Sequence, residues 1–336
     1  MGNLLGIDLF AGCGGVTEGL KQAGVEVIAA VEINPSACET YLLNHYPTEL
    51  VHDDIRQVSP RDLRKATGLR SGDLFVLAAC APCQGFSRIR TRNGARRARD
   101  PKNSLVLSVI PFVEEFAPQA VLLENVPAMA ASHQHGAVRR QLKRLGYRVL
   151  DEIVDAADFG VPQRRKRHVV VARKDQDPVL PETSSHKVTV REAIGHLDTG
   201  SQTGDPLHMT SSKFRDQTRE RISAIPKDGG SRYVLPDHLR LRCHMNSDGF
   251  GDVYGRMHWD RPAPTITGGF VNPSKGRFLH PEEDRTVTIR EAMLLQSFPA
   301  DYFVDLSRGK YAAAELVGNA VPPEFVRRQA AALLRP

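Results

Sequence analysis

At 336 residues, with 41% hydrophobic and 25% charged side chains, the chain has enough apolar surface to bury a full core, which excludes disorder as the default and leaves room for two unequal lobes. No apolar run approaches the ~20 residues a membrane helix needs, and Met1-Gly2-Asn3-Leu4 lacks the basic and apolar regions of an export signal, so no membrane is expected as a partner. The net charge of +6 is modest, but arginines cluster at 88–99, 164–167 and 215–242, a distribution that suits a polyanion.

The chain opens on an apolar strand, Gly6-Ile7-Asp8-Leu9-Phe10-Ala11, that runs into Gly12-Cys13-Gly14-Gly15 and a helical pattern over 16–23. Such a strand, glycine turn and helix let a ligand approach the backbone closely. The dinucleotide fingerprint fails, because its third glycine would fall at Thr17, and no P-loop lysine follows. A second strand over 25–31 ends in Glu32, about twenty residues beyond the first glycine, where nucleotide-binding folds place an acid for ribose hydroxyls. Asn34-Pro35 opens the next helix. A short strand then ends at His52-Asp53-Asp54-Ile55, where Asp53 or Asp54 is either a ligand-facing carboxylate or a helix cap.

The apolar run 74–79 predicts a buried strand that delivers Cys80-Ala81-Pro82-Cys83-Gln84-Gly85-Phe86-Ser87 to its carboxyl end, followed by an arginine-dense loop. Open α/β sheets bind ligands beyond that end of their strands. Taken alone, the segment permits a nucleophile, a redox pair or a buried thiol at Cys83. A helix is predicted over 103–116, and a strand over 118–123 ending in Glu124-Asn125-Val126-Pro127. An amphipathic helix over 137–145 and a strand over 147–154 follow. Gln163-Arg164-Arg165-Lys166-Arg167 then leads into a strand over 168–172. Along an extended segment Gln163, Arg165 and Arg167 share a face, a regularity that suits an anion or polar ligand. From about residue 175 to about 285 the chain is rich in proline, glycine, serine, histidine and arginine, as expected of a loop-rich second lobe. Helical periodicity returns over 288–296, and Gly318-Asn319-Ala320-Val321 precedes a final helix. The five cysteines (Cys13, Cys38, Cys80, Cys83, Cys243) are odd in number and irregularly spaced, which favours reduced thiols and a cytoplasmic setting.

In this order the motifs resemble those of the bacterial DNA (cytosine-5)-methyltransferases over nearly the whole chain. Phe10-Ala11-Gly12-Cys13-Gly14-Gly15, Glu32 and Asp54-Ile55 resemble the family's cofactor motifs, and Pro82-Cys83-Gln84 its catalytic motif. Glu124-Asn125-Val126 and Gln163 through Arg167 resemble its other active-site motifs. Arg256 with 264–267 and Gly318 through Val321 resemble the last two. The resemblance implies a doubly wound, Rossmann-like α/β sheet that binds S-adenosylmethionine, with S-adenosylhomocysteine as product and no metal. The catalytic and cofactor-binding domain is expected over 1–180 plus 285–336, and a small target-recognition domain over 181–284. Phe10, Gly12, Gly14, Glu32, Asp54, Ile55, Pro82, Leu105, Asn319 and Val321 would surround the cofactor.

The implied reaction methylates carbon 5 of a cytosine flipped out of a specific short duplex DNA sequence. Carbon 5 is a poor nucleophile, and a thiolate adding to carbon 6 turns the ring into an enamine that can attack; Cys83 is the candidate. Glu124 would hold or protonate the ring nitrogen at position 3, Arg167 the base carbonyl, and Arg165 the catalytic loop. The arginine loop with Ser87, Arg88 and Arg90, together with Arg256, is expected to meet DNA. Arg232, Arg240, Arg242, His244 and Asn246 are candidates to read bases, or to contact phosphates or fill structural roles. A monomer acting on double-stranded DNA in the cytoplasm, at the nucleoid, is expected, with a cognate restriction endonuclease as genetic partner. An RNA cytosine-5 methyltransferase is the alternative, because one branch of the family acts on transfer RNA, although that branch typically carries proline and threonine where this chain has Gly85 and Ser87. A C-x-x-C thiol-disulfide oxidoreductase built on Cys80 and Cys83 is more remote, since it needs neither Glu32 nor Glu124 nor the arginines. Zinc at Cys80, Cys83, His133 and His135, or at Cys243 and His244, lacks a second ligand pair at finger spacing.

Overall fold

The computed structural model describes residues 3–82, 101–198, 204–209, 213–241 and 251–335. These residues form two compact units. One comprises Met1–Phe159, Lys166–Thr183 and Val321–Pro336, the other Gly160–Arg165 and Ser184–Ala320.

The first unit is built on a seven-stranded sheet of order β3-β2-β1-β4-β5-β7-β6. Its strands are β1 (Leu4–Leu9), β2 (Val25–Glu32), β3 (Glu49–His52), β4 (Val76–Ala79), β5 (Ala120–Asn125), β6 (Arg148–Asp155) and β7 (Lys166–Arg173). The first five run parallel, and β7 is antiparallel to both β5 and β6. The strand order reverses between β1 and β4, and in sheets of this kind the crevice at the reversal is where ligands bind. Alternation sends Ile7 and Leu9 of β1 into a core with Leu77, Leu123, Phe112, Phe116 and Leu142, while Asp8 between them points to the opposite face. There the hydroxyl of Thr17 donates to Asp8 Oδ2 at 2.8 Å and lies 2.9 Å from the Tyr41 hydroxyl. The position that breaks the dinucleotide fingerprint therefore holds a buried carboxylate in place.

Among the described residues five α-helices come before β6: α1 (Gly15–Gln22), α2 (Pro35–Asn44), α3 (Pro60–Ala66), α4 (Ile110–Phe116) and α5 (His133–Arg144). Asn34 caps α2, accepting from the amides of Ser36 at 2.9 Å and Ala37 at 3.2 Å, with Pro35 in the first turn. Ser59 caps α3, so neither Asp53 nor Asp54 has the capping role. The single helix expected over 103–116 divides into a 3-10 stretch, Pro101–Val109, and α4. Pro111 has no amide hydrogen to carry one ladder through both and sits in the first turn of α4, where none is needed.

The second unit contains α6 (Val190–Ile194), α7 (Asp216–Ser223), α8 (Ile289–Leu295) and α9 (Lys310–Asn319); the final helix α10 (Pro323–Leu333) belongs to the first unit. Ile222, Ile225, Leu235, Leu239, Val253, Tyr254 and Leu279 form an apolar cluster in the second unit. The segment 285–320, expected with the catalytic domain, is part of this unit. Arg285 donates to Glu291 at 2.7 Å, Arg290 to Asp205 at 2.6 Å, and α8 packs on α6. Gln163 joins the same body, donating to the Leu295 carbonyl at 3.2 Å and accepting from the Ile266 amide at 3.0 Å.

Candidate active site

The turn after β1 and the end of β2 meet through one carboxylate. Glu32 Oε2 accepts from the Gly12 amide at 2.8 Å, and Oε1 accepts from the amides of Ile33 at 2.9 Å and Asn34 at 2.7 Å. A carboxylate offers about four acceptor sites, so the half-buried Glu32 keeps capacity for a further donor. Gly12 has φ +57° and nothing within 4 Å of where a Cβ would stand, and Gly14 has φ +91° as the α1 cap. Phe10, a bulky residue, also takes positive φ, at 63°. Such strain concentrates where a ring must be aimed at a ligand. Open space over a glycine turn, an aromatic ring beside it and an acid with spare acceptor capacity fit an adenosine-bearing cofactor.

Asp54 is ion-paired with Arg56, whose hydrogen bonds bring the carboxyl pKa down to about 2, and Ile55 behind it is buried. Leu105, half-buried, packs against the core from the 3-10 stretch. Asn319 ends α9 in the second unit, and Val321 begins the last segment of the first.

The second half of the site stands at the carboxyl end of β5. Because β7 runs antiparallel beside it, pairing Glu124 with Val169 and Asn125 with His168, the start of β7 arrives at the end of β5. Arg167 Nε thus lies 2.6 Å from Glu124 Oε1, with both side chains largely buried. Asn125 adds a link that the sequence does not reveal. Its Nδ2 donates to the Ala81 carbonyl at 3.1 Å while its Oδ1 accepts from Val126 at 2.9 Å, fixing the backbone two residues before Cys83.

Cys83, Ser87, Arg88, Arg90 and Arg242, with His244 and Asn246, lie outside the described residues. Among the described residues Cys13, Cys38 and Cys80 form no disulfide. Burial pushes the Cys13 pKa up to about 12 and the Cys38 pKa up to about 11. It raises that of Cys80 well above the usual thiol value, with the nearby Glu124 and Asp8 charges adding to it. None of the three is a ready thiolate.

Two arginines expected at DNA are corrected. Arg256 is fully buried, its guanidinium donating to the carbonyls of Ile222 at 2.9 Å, Ile225 at 3.0 Å, His280 at 3.0 Å and Glu283 at 2.6 Å and pairing with Asp284. A guanidinium so engaged builds its own fold and has no reach to a phosphate. Arg232 is 5% exposed and lies over the Tyr233 ring. Arg240 remains at the surface, held by the Leu235 carbonyl at 2.8 Å and Asp237 at 3.1 Å. Arg165, expected to hold the catalytic loop, donates to the carbonyls of Ile266 at 3.1 Å and Ala320 at 2.9 Å within the second unit. It braces backbone there. Separately, His135 and His168 both reach Asp151 Oδ2, at 2.9 and 3.4 Å, with Arg139 3.6 Å from the other oxygen. This set joins α5, β6 and β7, and no spacing in the sequence announces it.

The chain matches the family model described as C-5 cytosine-specific DNA methylase over residues 4–335. It is 35% identical to the Type II methylase M.HgiDII of Herpetosiphon aurantiacus, over 94% of this chain and 91% of that protein. To the Type II methyltransferase M1.HphI of Haemophilus parahaemolyticus it is 36% identical, over 98% and 86%. A crystal structure of a DNA modification methyltransferase encoded within an E. coli prophage superposes with a TM-score of 0.73 at 21% identity, covering 98% of each chain.

Proposed function

The chain belongs to the C-5 cytosine-specific DNA methylases, and from that premise we propose that it transfers methyl from S-adenosylmethionine to carbon 5 of a cytosine within a short duplex DNA sequence, as the modification half of a Type II restriction-modification system. S-adenosylmethionine, when bound, supplies an electrophilic methyl group. Glu32 would take the ribose hydroxyls on its remaining acceptor capacity, and the open Gly12 turn would admit the ligand against backbone, with Phe10 over it. Gly14, Asp54, Ile55, Pro82, Leu105, Asn319 and Val321 complete the proposed set by resemblance to the family's motifs.

The pair Glu124 and Arg167 carries this reading. A target cytosine presents a ring nitrogen beside a carbonyl oxygen, and an acid next to a guanidinium matches that edge, with Glu124 on the nitrogen and Arg167 on the oxygen. Withdrawal of electrons through this edge favours addition of the Cys83 thiolate to carbon 6, a kind of general-acid help typically worth about 100 to 10,000-fold. Methyl transfer to carbon 5, loss of its proton to a water and elimination of Cys83 close the cycle. A base stacked in a duplex is out of reach, so the nucleotide must swing out at a cost of a few kcal/mol. The arginine-rich sequence after Cys83 and the exposed Arg240 are proposed contacts to the DNA backbone. Among the described residues no helix is long and apolar enough to cross a membrane.

Duplex DNA carrying 5-fluorocytosine tests the reading, because fluorine cannot leave as the proton does and the adduct is trapped. The wild type should form a complex that survives denaturing electrophoresis, whereas Cys83→Ser should form none. A trapped complex of equal yield in Cys83→Ser would overturn the assignment.

A further inference from the structure

Helix α5 buries His135, Val138 and Leu142, a spacing that puts all three on one face, and α5 packs on β6. Ser132 caps the helix, accepting from the His135 amide at 3.1 Å, which fixes this histidine in the first turn. On the sheet Asp151 stands opposite Val170, and His168 opposite Ile153, so Asp151 and His168 are diagonal neighbours on one face of the antiparallel pair. Alternation along β7 turns His168 away from the face that Arg167 uses. The set is thus separate from the pair of Glu124 and Arg167. Val138, Leu142 and Val170 belong to the apolar core, and two imidazoles among them are costly to bury unless their nitrogens find partners. Both rings lean on the same oxygen: His135 Nε2 lies 2.9 Å and His168 Nε2 3.4 Å from Asp151 Oδ2, and the rings meet edge to face at 4.4 Å. Each of the three residues offers one ligand atom, and these atoms lie within 4.8 Å of one another. Tetrahedral zinc, with bonds of about 2.0 to 2.1 Å, sets its ligand atoms roughly 3.3 Å apart, an edge that the two separations from Asp151 bracket.

We propose that His135, His168 and Asp151 form a zinc site that ties α5 to β6 and β7. Both rings would ligate through Nε2 and carry their proton on Nδ1, and the carboxylate would supply the third ligand. Asp151 is half-buried and Arg139 beside it is exposed, so solvent reaches the set from that side and a water can fill the fourth position. Arg139, 3.6 Å from Asp151 Oδ1, is the one like charge on that carboxylate, and its exposed side chain is able to swing into solvent. Two imidazoles with one carboxylate suit zinc, whereas magnesium and calcium take oxygen ligands. The ion would be structural, outside the methyl transfer proposed above.

The test is a calorimetric titration of the full chain, without an affinity tag and stripped of metal by a chelator, with zinc chloride. The wild type should bind one equivalent with a Kd of roughly 1 μM or tighter, and zinc in about hundredfold excess over that Kd should raise its melting temperature by several degrees. Magnesium should do neither. Cobalt in place of zinc should give the visible bands of a tetrahedral ion without the near-ultraviolet band of thiolate ligation, which separates this site from the cysteines. Asp151→Asn keeps the shape of the side chain and loses its charge, and His168→Gln removes one imidazole; each should weaken zinc binding at least about tenfold. If either variant fails to fold, a wild-type crystal soaked in zinc decides, with anomalous density expected within bonding distance of His135, His168 and Asp151. No zinc uptake by the wild type, a thiolate band with cobalt, unaltered uptake in either folded variant, or a zinc peak only elsewhere would overturn the proposal. None of these readouts depends on methyl transfer, so the site and the proposed reaction stand or fall separately.

Discussion

Cys80 and Cys83 stand three positions apart and have opposite chemical prospects. Burial holds Cys80 as a thiol, so Cys80→Ser should leave methyl transfer within about threefold while Cys83→Ser abolishes it, measured as tritium incorporated from labelled S-adenosylmethionine. Glu124→Gln keeps shape and loses the acid, and its kcat should fall by about 100 to 10,000-fold. Arg256→Ala should act on folding, because it leaves the carbonyls of Ile222, Ile225, His280 and Glu283 unpaired. A melting temperature lowered by several degrees is expected, with the salt dependence of DNA binding unchanged in whatever fraction remains folded. The candidate-site residues legible in the sequence are those whose proposed chemistry is local to a motif: Glu32 at a strand end, Glu124 and Arg167 in theirs. Asn125 and Thr17 are not, because each is defined by a partner elsewhere along the chain, and the charge of Arg256 reads as an outward one in the sequence although its partners are buried carbonyls.

At the scale of elements, α1 and α10 lie against each other at Gly19. A Cβ there would stand 2.4 Å from the Pro323 carbonyl oxygen and 2.5 Å from the Val326 Cβ. Gly19→Ala should therefore push α10 off the sheet and destabilise the protein by roughly 1–3 kcal/mol, read as a shift in the urea midpoint. The strands of the first unit could be read from alternation and from the glycine and proline breaks between them, and the parallel order follows from helices between strands. The place of 285–320 could not. Its helical period is visible, but which body it joins is decided by Arg290 with Asp205 and Gln163 with Leu295, contacts that span up to 132 positions.

Across the whole molecule, the sheet holds one carboxyl at a cost that depends on pH. Burial drives the Asp8 pKa up to about 7 from an ordinary 3.8, against the hydrogen bonds from Thr17 and with help from the Glu32 charge. The unfolded chain gives up this proton first, so stability should fall as pH rises from about 4 to about 7 and level off above, by about 1.4 kcal/mol per pH unit for a single group. In Asp8→Asn that component should vanish, which urea unfolding at several pH values will show. The central claim is the reaction itself. Purified protein with labelled S-adenosylmethionine, offered duplex DNA or transfer RNA and followed by bisulfite sequencing of the DNA, tests it most directly. The account predicts 5-methylcytosine at one position of one short duplex sequence and no label in transfer RNA; label confined to transfer RNA, or DNA methylated only on an exocyclic nitrogen, would contradict it.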